Sequence, residues 1–415
     1  MTVVDEVDRD VRSIWLARWG RVVAAEDVVP WRVVDADGQP VQAIERFLRD
    51  FVARGNRPGS VRSYAYDLLR WWRFLQVIGV EWDRVTSVEV RDFVLWLQQA
   101  SKPLRAPRTR SSATRGRVNP VTRKAYLDDR YGARTVRHSN AVVRSFYEYW
   151  IELGEGPLVN PVPRERDRGA RSHAHHNPLE LFQPRGRIRY NPKLPKRRPR
   201  AMPEERWAEL FAAMRSNRDR ALLALAVSTA ARAAEILGVR GGDLDWGDQL
   251  VRVRRKGTQA EQWLPVSPDA FVWLRLYLDE VGGIGPDDPL WQTLRRRDRG
   301  AGLGRGPLTY DALRAVLRRA NEALGSNWTM HDLRHTCALR MVRDDRLSLR
   351  DVQTILGHAH LSTTQIYLDE DDQEVFQRVH QHLADREDRA QHTPAPVAAG
   401  YEADDLSVLF GGAPR

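Results

Sequence analysis

The chain has 415 residues and a formal net charge of +11 at pH 7. This length predicts two or three domains, and a hydrophobic content of 42% is enough to bury sizeable cores. No apolar run can cross a bilayer and the N-terminus lacks a secretory signal, so we expect a cytoplasmic protein without membrane contact. The single cysteine excludes a disulfide framework and any multi-cysteine metal site. The basic excess indicates a polyanionic partner, with nucleic acid as the first candidate.

Residues 1–43 form an N-terminal extension for which two interpretations stay open. Asp10 to Val23 could be a helix, and Asp37-Gly38 lies between short apolar runs, as in a hairpin. We expect an extension that packs against the next domain. A small accessory arm that contacts DNA is the alternative.

Residues 44–160 are predicted to be helical. Ile44 to Val52 places apolar residues at i, i+3, i+4 and i+7. A second helix follows Ser60, a plausible N-cap, and two more are expected from about Ser87 to Gln99 and from about Thr135 to Leu153. Aromatic residues recur at helical spacing, which is typical of a core. The segment therefore predicts a compact four-helix domain.

Two segments concentrate positive charge. The insertion at about 101–124 carries eight basic residues and no acidic ones, so it is either a solvated loop or a phosphate contact. The linker at 161–200 is rich in proline and arginine, cannot bury a core, and is predicted to stay extended. Its histidines, His173, His175 and His176, lack other clear ligands, so we expect no metal site.

Residues 201–385 form a second domain that is predicted to be mainly helical with one small β-sheet. Leu250–Arg254 and Trp263–Val266 flank a turn and predict a hairpin. The predicted helices cover 203–214, 218–227, 233–237, 269–281, 309–324, 331–343 and 349–356. The fold class is thus mainly α, with a helical first domain and a mixed second domain.

The tail, residues 386–415, is predicted to be flexible. Within it Leu406, Leu409 and Phe410 fall on one face of a short helical pattern. Docking of this face on a neighbouring subunit, docking on its own domain and simple disorder all stay open.

One set of residues in the second domain suits chemistry on a phosphodiester. In chain order the set is Arg232, Lys256, His331, Arg334, His358 and Tyr367. Planar guanidinium groups hold phosphate oxygens through paired hydrogen bonds, so the two arginines are predicted to clamp the phosphate. The tyrosine is the predicted nucleophile. Its phenol has an ordinary pKa of about 10, so it must lose a proton during attack.

The other residues of the set are predicted to move protons and to orient groups. His331, one helical turn before Arg334, could accept the tyrosine proton or hold the phosphate. His358 could hydrogen-bond the phosphate or help to place the nucleophile. Lys256, at the tip of the predicted hairpin, is the candidate acid for the leaving 5′-oxygen. Because arginines and lysine neutralise the charge, we expect neither a metal nor another cofactor.

The order and spacing of these residues resemble the tyrosine recombinase (phage integrase) family. The phrases that match are His331-Asp-Leu-Arg-His-Thr336, Leu356-Gly-His358 and the tyrosine nine positions later. Glu235 matches a recurrent acidic residue that follows the first arginine. The four-helix segment resembles the family's core-binding, SAM-like domain, and the second domain resembles its catalytic domain.

The resemblance implies a site-specific recombinase that clamps double-stranded DNA between its domains. Tyrosine attack would form a 3′-phosphotyrosyl link and free a 5′-hydroxyl, and strands would exchange through a Holliday junction. It implies a homo-tetramer on paired sites, a C-terminal helix exchanged between protomers, and no need for ATP, and a monomer in free solution stays open. Integration or excision of a mobile element is the expected role, and accessory DNA-binding proteins stay open.

Two other functions stay open. A type IB topoisomerase also uses arginine, lysine, histidine and tyrosine, but would relax DNA as a monomer. A DNA-binding protein that has lost catalysis is the second, although the complete catalytic set argues against it. Among the neighbouring residues, His335 and Cys337 are interpreted as structural, Asp332 as a helix cap, and the acidic run 369–372 as a solvated helix start.

Overall fold

The computed structural model describes residues 9–102, 114–126, 128–165, 186–194, 199–298, 303–367 and 380–382. The chain divides into two compact units, Met1–Lys196 and Arg197–Arg415. Within these described ranges, no helix has the length and apolar character that a membrane span requires. The predicted tail helix and the acidic run after the tyrosine lie outside them.

The first unit contains the helices that periodicity predicts. They are α1 (Gln42–Ala53), α2 (Pro58–Ile78), α3 (Ser87–Gln99) and α4 (Ala133–Glu152), with a short 3-10 helix at Trp82–Arg84. The predicted cap at Ser60 is wrong, because α2 begins earlier, at Pro58, with Arg57 as its N-cap. Proline fixes the backbone angle that a first helical turn needs and has no N–H to leave unpaired. Thr86 and Glu89 close a capping box at the start of α3.

Aromatic side chains fill the interior of this unit, as predicted. Trp71, Phe74, Phe93 and Phe146 are fully buried. The rings of Trp71 and Phe93 meet edge to face with centroids 4.9 Å apart, and the Trp71 indole donates a hydrogen bond to the Tyr147 hydroxyl at 3.1 Å. Buried aromatic pairs of this geometry add to the free energy gained by removing their area from water.

The N-terminal extension packs against the helices. Strand β1 (Arg21–Ala24) pairs antiparallel with β2 (Trp31–Val34), and Arg73 of α2 donates to the Gly20 carbonyl at 2.7 Å. The helix considered for Asp10–Val23 is wrong, because the β-branched valines of β1 pair with β2. The described part of the extension is therefore a packing element.

The described part of the basic insertion folds back on itself. Val118 bridges Ala125, and Asn119 is fully buried between them. Its stretch 103–113 lies outside the described residues.

The first described residues of the linker pair with a later described part of the same linker. The Glu165 amide donates to the Arg187 carbonyl at 2.7 Å, and Arg164 bridges Ile188. The three linker histidines considered as metal ligands lie outside the described residues. In the described ranges, histidine, cysteine and acidic side chains form no group of three or more with metal-binding geometry.

The second unit is mainly helical around small antiparallel sheets, as predicted. Its helices are α5 (Glu204–Ala212), α6 (Asn217–Thr229), α7 (Ala233–Leu237), α8 (Pro268–Val281), α9 (Tyr310–Leu324), α10 (Met330–Val342), α11 (Leu349–Leu356) and α12 (Leu361–Gln365). Its strands are β3 (Leu244–Asp245), β4 (Leu250–Arg254), β5 (Glu261–Pro265), β6 (Arg297–Asp298) and β7 (Leu303–Gly304). The sheet order is β3-β4-β5, and the predicted β4–β5 hairpin is confirmed.

The core of the second unit forms around α6, which is apolar on nearly every side. Leu222, Leu223 and Leu225 are buried, and α8 and α10 pack against the helix. Because α6 is buried on nearly every side, it lacks the polar stripe that a surface helix turns to solvent. The core thereby fixes the C-terminal end of α6, from which the chain enters the candidate site.

Candidate active site

The turn between α6 and α7 shapes one wall of the candidate site. Ala230 ends α6 in the left-handed region, with φ +51°, which costs a non-glycine residue about 1 kcal/mol or more. This conformation turns the Ala230 carbonyl toward Arg334, which donates to it. The chain then enters α7 with Arg232 at its N-cap. A strained turn therefore brings the two predicted phosphate-binding arginines to the same place.

Arg334 is the most deeply buried member of the predicted set, with 3% of its surface exposed. Its Nη2 donates to the Leu356 carbonyl at 2.8 Å and contacts His358 Nε2 at 3.0 Å. Burial, with the positive charge of Arg232 nearby, lowers the pKa of Arg334 to about 10. The group remains a cation at neutral pH, held in one orientation by protein acceptors.

His358 is neutral in this environment. Burial first, and the nearby arginines second, lower its pKa to about 4. Because arginine can only donate, His358 Nε2 accepts the bond from Arg334. Nδ1 therefore carries the proton and donates to Thr364 Oγ1 at 2.9 Å. This pair of bonds fixes both the tautomer and the ring plane.

Glu235 connects two predicted catalytic groups. Its Oε2 accepts from the Arg232 amide at 2.9 Å, and its Oε1 accepts from Arg232 Nη1 and from the Lys256 amide, each at 2.9 Å. Burial alone would raise the pKa of Glu235, but these backbone and side-chain hydrogen bonds lower it below its ordinary value. Glu235 is thus an anion that fixes the backbone at both cations, while the Lys256 side chain is exposed on the β4–β5 turn.

Tyr367 lies in an apolar pocket beside these cations. It is 6% exposed and packs with Ala230, Leu339, Val352 and Leu356. Burial raises the pKa of its phenol, and the charges of the two arginines oppose that rise. Proton loss from this tyrosine therefore depends on a nearby acceptor as well as on positive charge.

A histidine that the sequence analysis interpreted as structural contacts the predicted nucleophile. His335 Nδ1 lies 2.9 Å from the Tyr367 hydroxyl. His331, the predicted proton acceptor, is exposed one turn earlier on α10, and its ring centroid is 4.6 Å from that of His335. The spacing of four residues on one helix was the available signal for His335. Spacing alone could not reveal which of the two rings meets the tyrosine.

Five of the six predicted residues fall into two groups, and His331 lies beside His335 on α10. Arg232, Arg334, His358 and Tyr367 converge on one pocket, with the arginines close enough to the phenol to influence its pKa. Lys256 joins them through its backbone bond to Glu235, with its side chain directed to the exposed hairpin turn. This arrangement can hold a phosphate between guanidinium groups next to a phenol and a histidine. Asp332, the predicted cap, accepts from Thr329 at the start of α10.

Two family models match the chain. The model "Phage integrase family" covers residues 200–374, and "Phage integrase, N-terminal SAM-like domain" covers residues 44–119. Transposase A from transposon Tn554 of Staphylococcus aureus is 23% identical over 369 residues, which are 86% of this chain and 94% of the transposase.

A tyrosine recombinase and a solved complex are also similar. Tyrosine recombinase XerC of Chlamydia caviae is 30% identical over 248 residues, covering 58% of this chain and 69% of XerC. The fold matches that of XerH site-specific recombinase in a post-cleavage complex with palindromic difH substrate, at a TM-score of 0.52 and 15% identity, over 81% of this chain and 83% of that chain. Sequence, fold and site agree: the chain belongs to the tyrosine recombinase (phage integrase) family of DNA breaking-rejoining enzymes.

Proposed function

We propose that the chain cuts and rejoins double-stranded DNA at specific sites, with Tyr367 as the nucleophile. The observation that carries the proposal is the convergence of Arg232, Arg334 and His358 on the pocket that holds Tyr367. A formal net charge of +11 supports a polyanionic partner. The similarity to XerC, a tyrosine recombinase, and the shared fold of XerH, a site-specific recombinase, support the same reaction here.

Phosphate binding falls to the two arginines. Arg334 is held by carbonyls in its pocket, and the Arg232 side chain is 31% exposed, so it can meet a phosphate that arrives from solvent. Preorganised positive charge stabilises the growing negative charge on the non-bridging oxygens and is usually the largest catalytic contribution. His358, neutral with its proton on Nδ1, orients Arg334 through Nε2.

The phenol proton passes to a histidine. In this proposal His335 accepts it directly, since its Nδ1 lies 2.9 Å from the hydroxyl, and His331 is the next group on the same helix face. The phenolate oxygen then bonds to phosphorus and the bond from phosphorus to the 5′-oxygen breaks. Lys256 donates the proton that the leaving 5′-oxygen needs. The products are a 3′-phosphotyrosyl link and a free 5′-hydroxyl.

The proposed reaction needs neither ATP nor a metal. A phosphotyrosyl ester replaces a phosphodiester, so the energy of the broken bond is kept for rejoining. Arginine and lysine cations supply the charge that a metal would otherwise supply. Adduct formation in the presence of a metal chelator and in the absence of nucleotide tests both statements.

Assembly and biological role are part of the same proposal. Strand exchange through a Holliday junction needs paired sites, which favours a homo-tetramer on DNA. We propose that this assembly acts in the cytoplasm, at the nucleoid. The segment proposed to dock on a neighbouring subunit, with Leu406, Leu409 and Phe410, lies outside the described residues. Similarity to the Tn554 transposase supports integration or excision of a mobile element.

Covalent trapping tests the proposal. The full chain and its Tyr367→Phe variant are incubated with nicked suicide duplexes that tile the DNA flanking the gene, and denaturing gels reveal protein–DNA adducts. We expect adducts at discrete sites with the wild type only, and equal DNA binding by both proteins. Relaxation of plasmid without site preference would favour the topoisomerase alternative. Specific binding without any adduct would favour a DNA-binding protein that has lost catalysis.

A further inference from the structure

Arg255 is a buried arginine beside Lys256 whose contacts lead to three different segments. Only 4% of its surface is exposed. Its Nε donates to Gln262 Oε1 on β5 at 2.8 Å, its Nη1 to Glu235 Oε2 on α7 at 3.2 Å, and its Nη2 to the Ile355 carbonyl on α11. A planar guanidinium with five N–H donors can serve three acceptors in fixed directions, which an ammonium cannot.

The same side chain supports the turn that delivers His358. Gly357 ends α11 with φ +61°, and a Cβ built there would lie 2.8 Å from Arg255 Nε and 3.0 Å from Arg255 Cζ. Gln262 adds a second link, since its Nε2 donates to the Thr354 carbonyl at 3.0 Å. The hairpin that carries Lys256 and the end of α11 are therefore joined through one buried cation and its glutamine.

Both oxygens of Glu235 take part in this connection. Oε2 accepts from Arg255 and Oε1 accepts from the Lys256 amide. Removing one partner of a buried ion pair leaves an uncompensated charge, so the remaining groups must rearrange. A change at Arg255 would thus free the hairpin and the histidine turn together.

We propose that Arg255 is a positioning residue that fixes the Lys256 hairpin and the His358 turn to the carboxylate of Glu235. The inference rests on the proposed function for its catalytic meaning. Its structural content, the coupling of two segments through one guanidinium, can be measured without any reaction.

A matched control exists in the same unit. Arg218 on α6 is 6% exposed, donates to Asp219 at 2.6 Å and donates to the Gln292 carbonyl at 2.9 Å. Arg218→Met therefore removes an equally buried arginine, ion pair and carbonyl contact away from the predicted catalytic groups. It reports what loss of stability alone does.

Amide hydrogen exchange on the full chain without DNA is the first readout. We expect Arg255→Met, and the milder Arg255→Lys, to speed exchange at least tenfold in both segments 255–260 and 355–360. We expect Arg218→Met to leave both segments unchanged. Unchanged exchange in Arg255→Met, or change in only one of the two segments, would overturn the proposal even if the chain proves not to cleave DNA.

Single-turnover cleavage on the mapped site is the second readout. We expect Arg255→Met to lose about 100-fold with an ordinary 5′-oxygen leaving group, the scale of one acid–base contribution. With a 5′-bridging sulfur the loss should fall below about tenfold, because a thiol ionises near pH 8.5 and leaves without an acid. Equal losses on both substrates would refute action through Lys256. Absence of any wild-type adduct would refute the proposed function instead.

Discussion

The two interiors of this molecule differ in what fills them. Around Trp71 the first unit is packed with aromatic rings, which are stabilised mainly by their fit and by the area that they bury. Around Arg334 the second unit buries two arginines and a glutamate beside a half-buried histidine, and each of these groups must keep hydrogen-bond partners. Buried charge costs free energy that aromatic packing does not. The proposed catalytic groups lie in this costlier interior, so we expect substitutions in the two interiors to have different effects.

The largest effect is expected at the cationic interior. Arg334→Gln removes a guanidinium that is proposed to clamp the phosphate, so cleavage should fall about 10³-fold, as for loss of one preorganised donor. Arg340→Gln, on the same helix with a surface ion pair to Glu204, should stay within about twofold. Single-turnover rates of adduct formation measure both. Similar rates for Arg334→Gln and Arg340→Gln would contradict the catalytic role that is proposed for the buried arginine.

The aromatic interior should affect stability rather than chemistry. Trp71→Ala empties a fully buried site and should lower the free energy of unfolding of the first unit by about 3–5 kcal/mol. Trp15→Ala changes a side chain that is 85% exposed, so we expect a change within about 0.5 kcal/mol. Calorimetry would follow the unfolding transitions. A fall in the cleavage rate of fully folded Trp71→Ala protein would contradict this separation.

A smaller effect is expected at His335. His335→Gln keeps a polar group near the Tyr367 hydroxyl but is a far weaker base, so cleavage should slow about 100-fold. His331→Gln should slow it less, because in this proposal His331 is the next group on the helix face, with its ring centroid 4.6 Å from that of His335. Single-turnover rates of adduct formation for the two variants at one pH measure the difference. Faster cleavage by His335→Gln would mean that this contact restrains the tyrosine instead.

The smallest effect concerns pH. The folded state holds the pKa of His358 at about 4, below its ordinary 6.5, so between these values the unfolded chain binds more protons. The resulting stability is fully present above pH 6.5 and is lost as pH falls toward 4. After allowance for solvent screening of this half-buried ring, we expect about 1 kcal/mol less stability at pH 5 than at pH 7. Urea unfolding at both pH values should show a loss that is larger by about 1 kcal/mol in the wild type than in His358→Gln.

The main helices and the family were predictable from the sequence. Periodic apolar residues define α1 and α3 almost to the residue, and the spacing of histidines, arginines and tyrosine indicates the family. Both signals lie in the order and spacing of residues along the chain. They can be recognised without knowing which segments lie close together in the fold.

Contacts between distant segments were not predictable. The β1–β2 pairing replaced a considered helix because cross-strand partners are set by tertiary packing, which outweighs local preference. The role of Arg255 depends on acceptors at positions 235, 262 and 355, and nothing in the spacing of those residues indicates a shared partner. Likewise, two histidines at positions i and i+4 look alike until the tyrosine is placed beside one of them.

One measurement tests the central claim most directly. The trapped wild-type adduct is digested with nuclease and protease, and mass spectrometry locates the residue that carries the nucleotide. We expect a 3′-phosphonucleotide on Tyr367 alone. A nucleotide on any other residue, such as the exposed Tyr310 on α9, would contradict the proposed nucleophile and with it the assigned roles of the surrounding arginines and histidines.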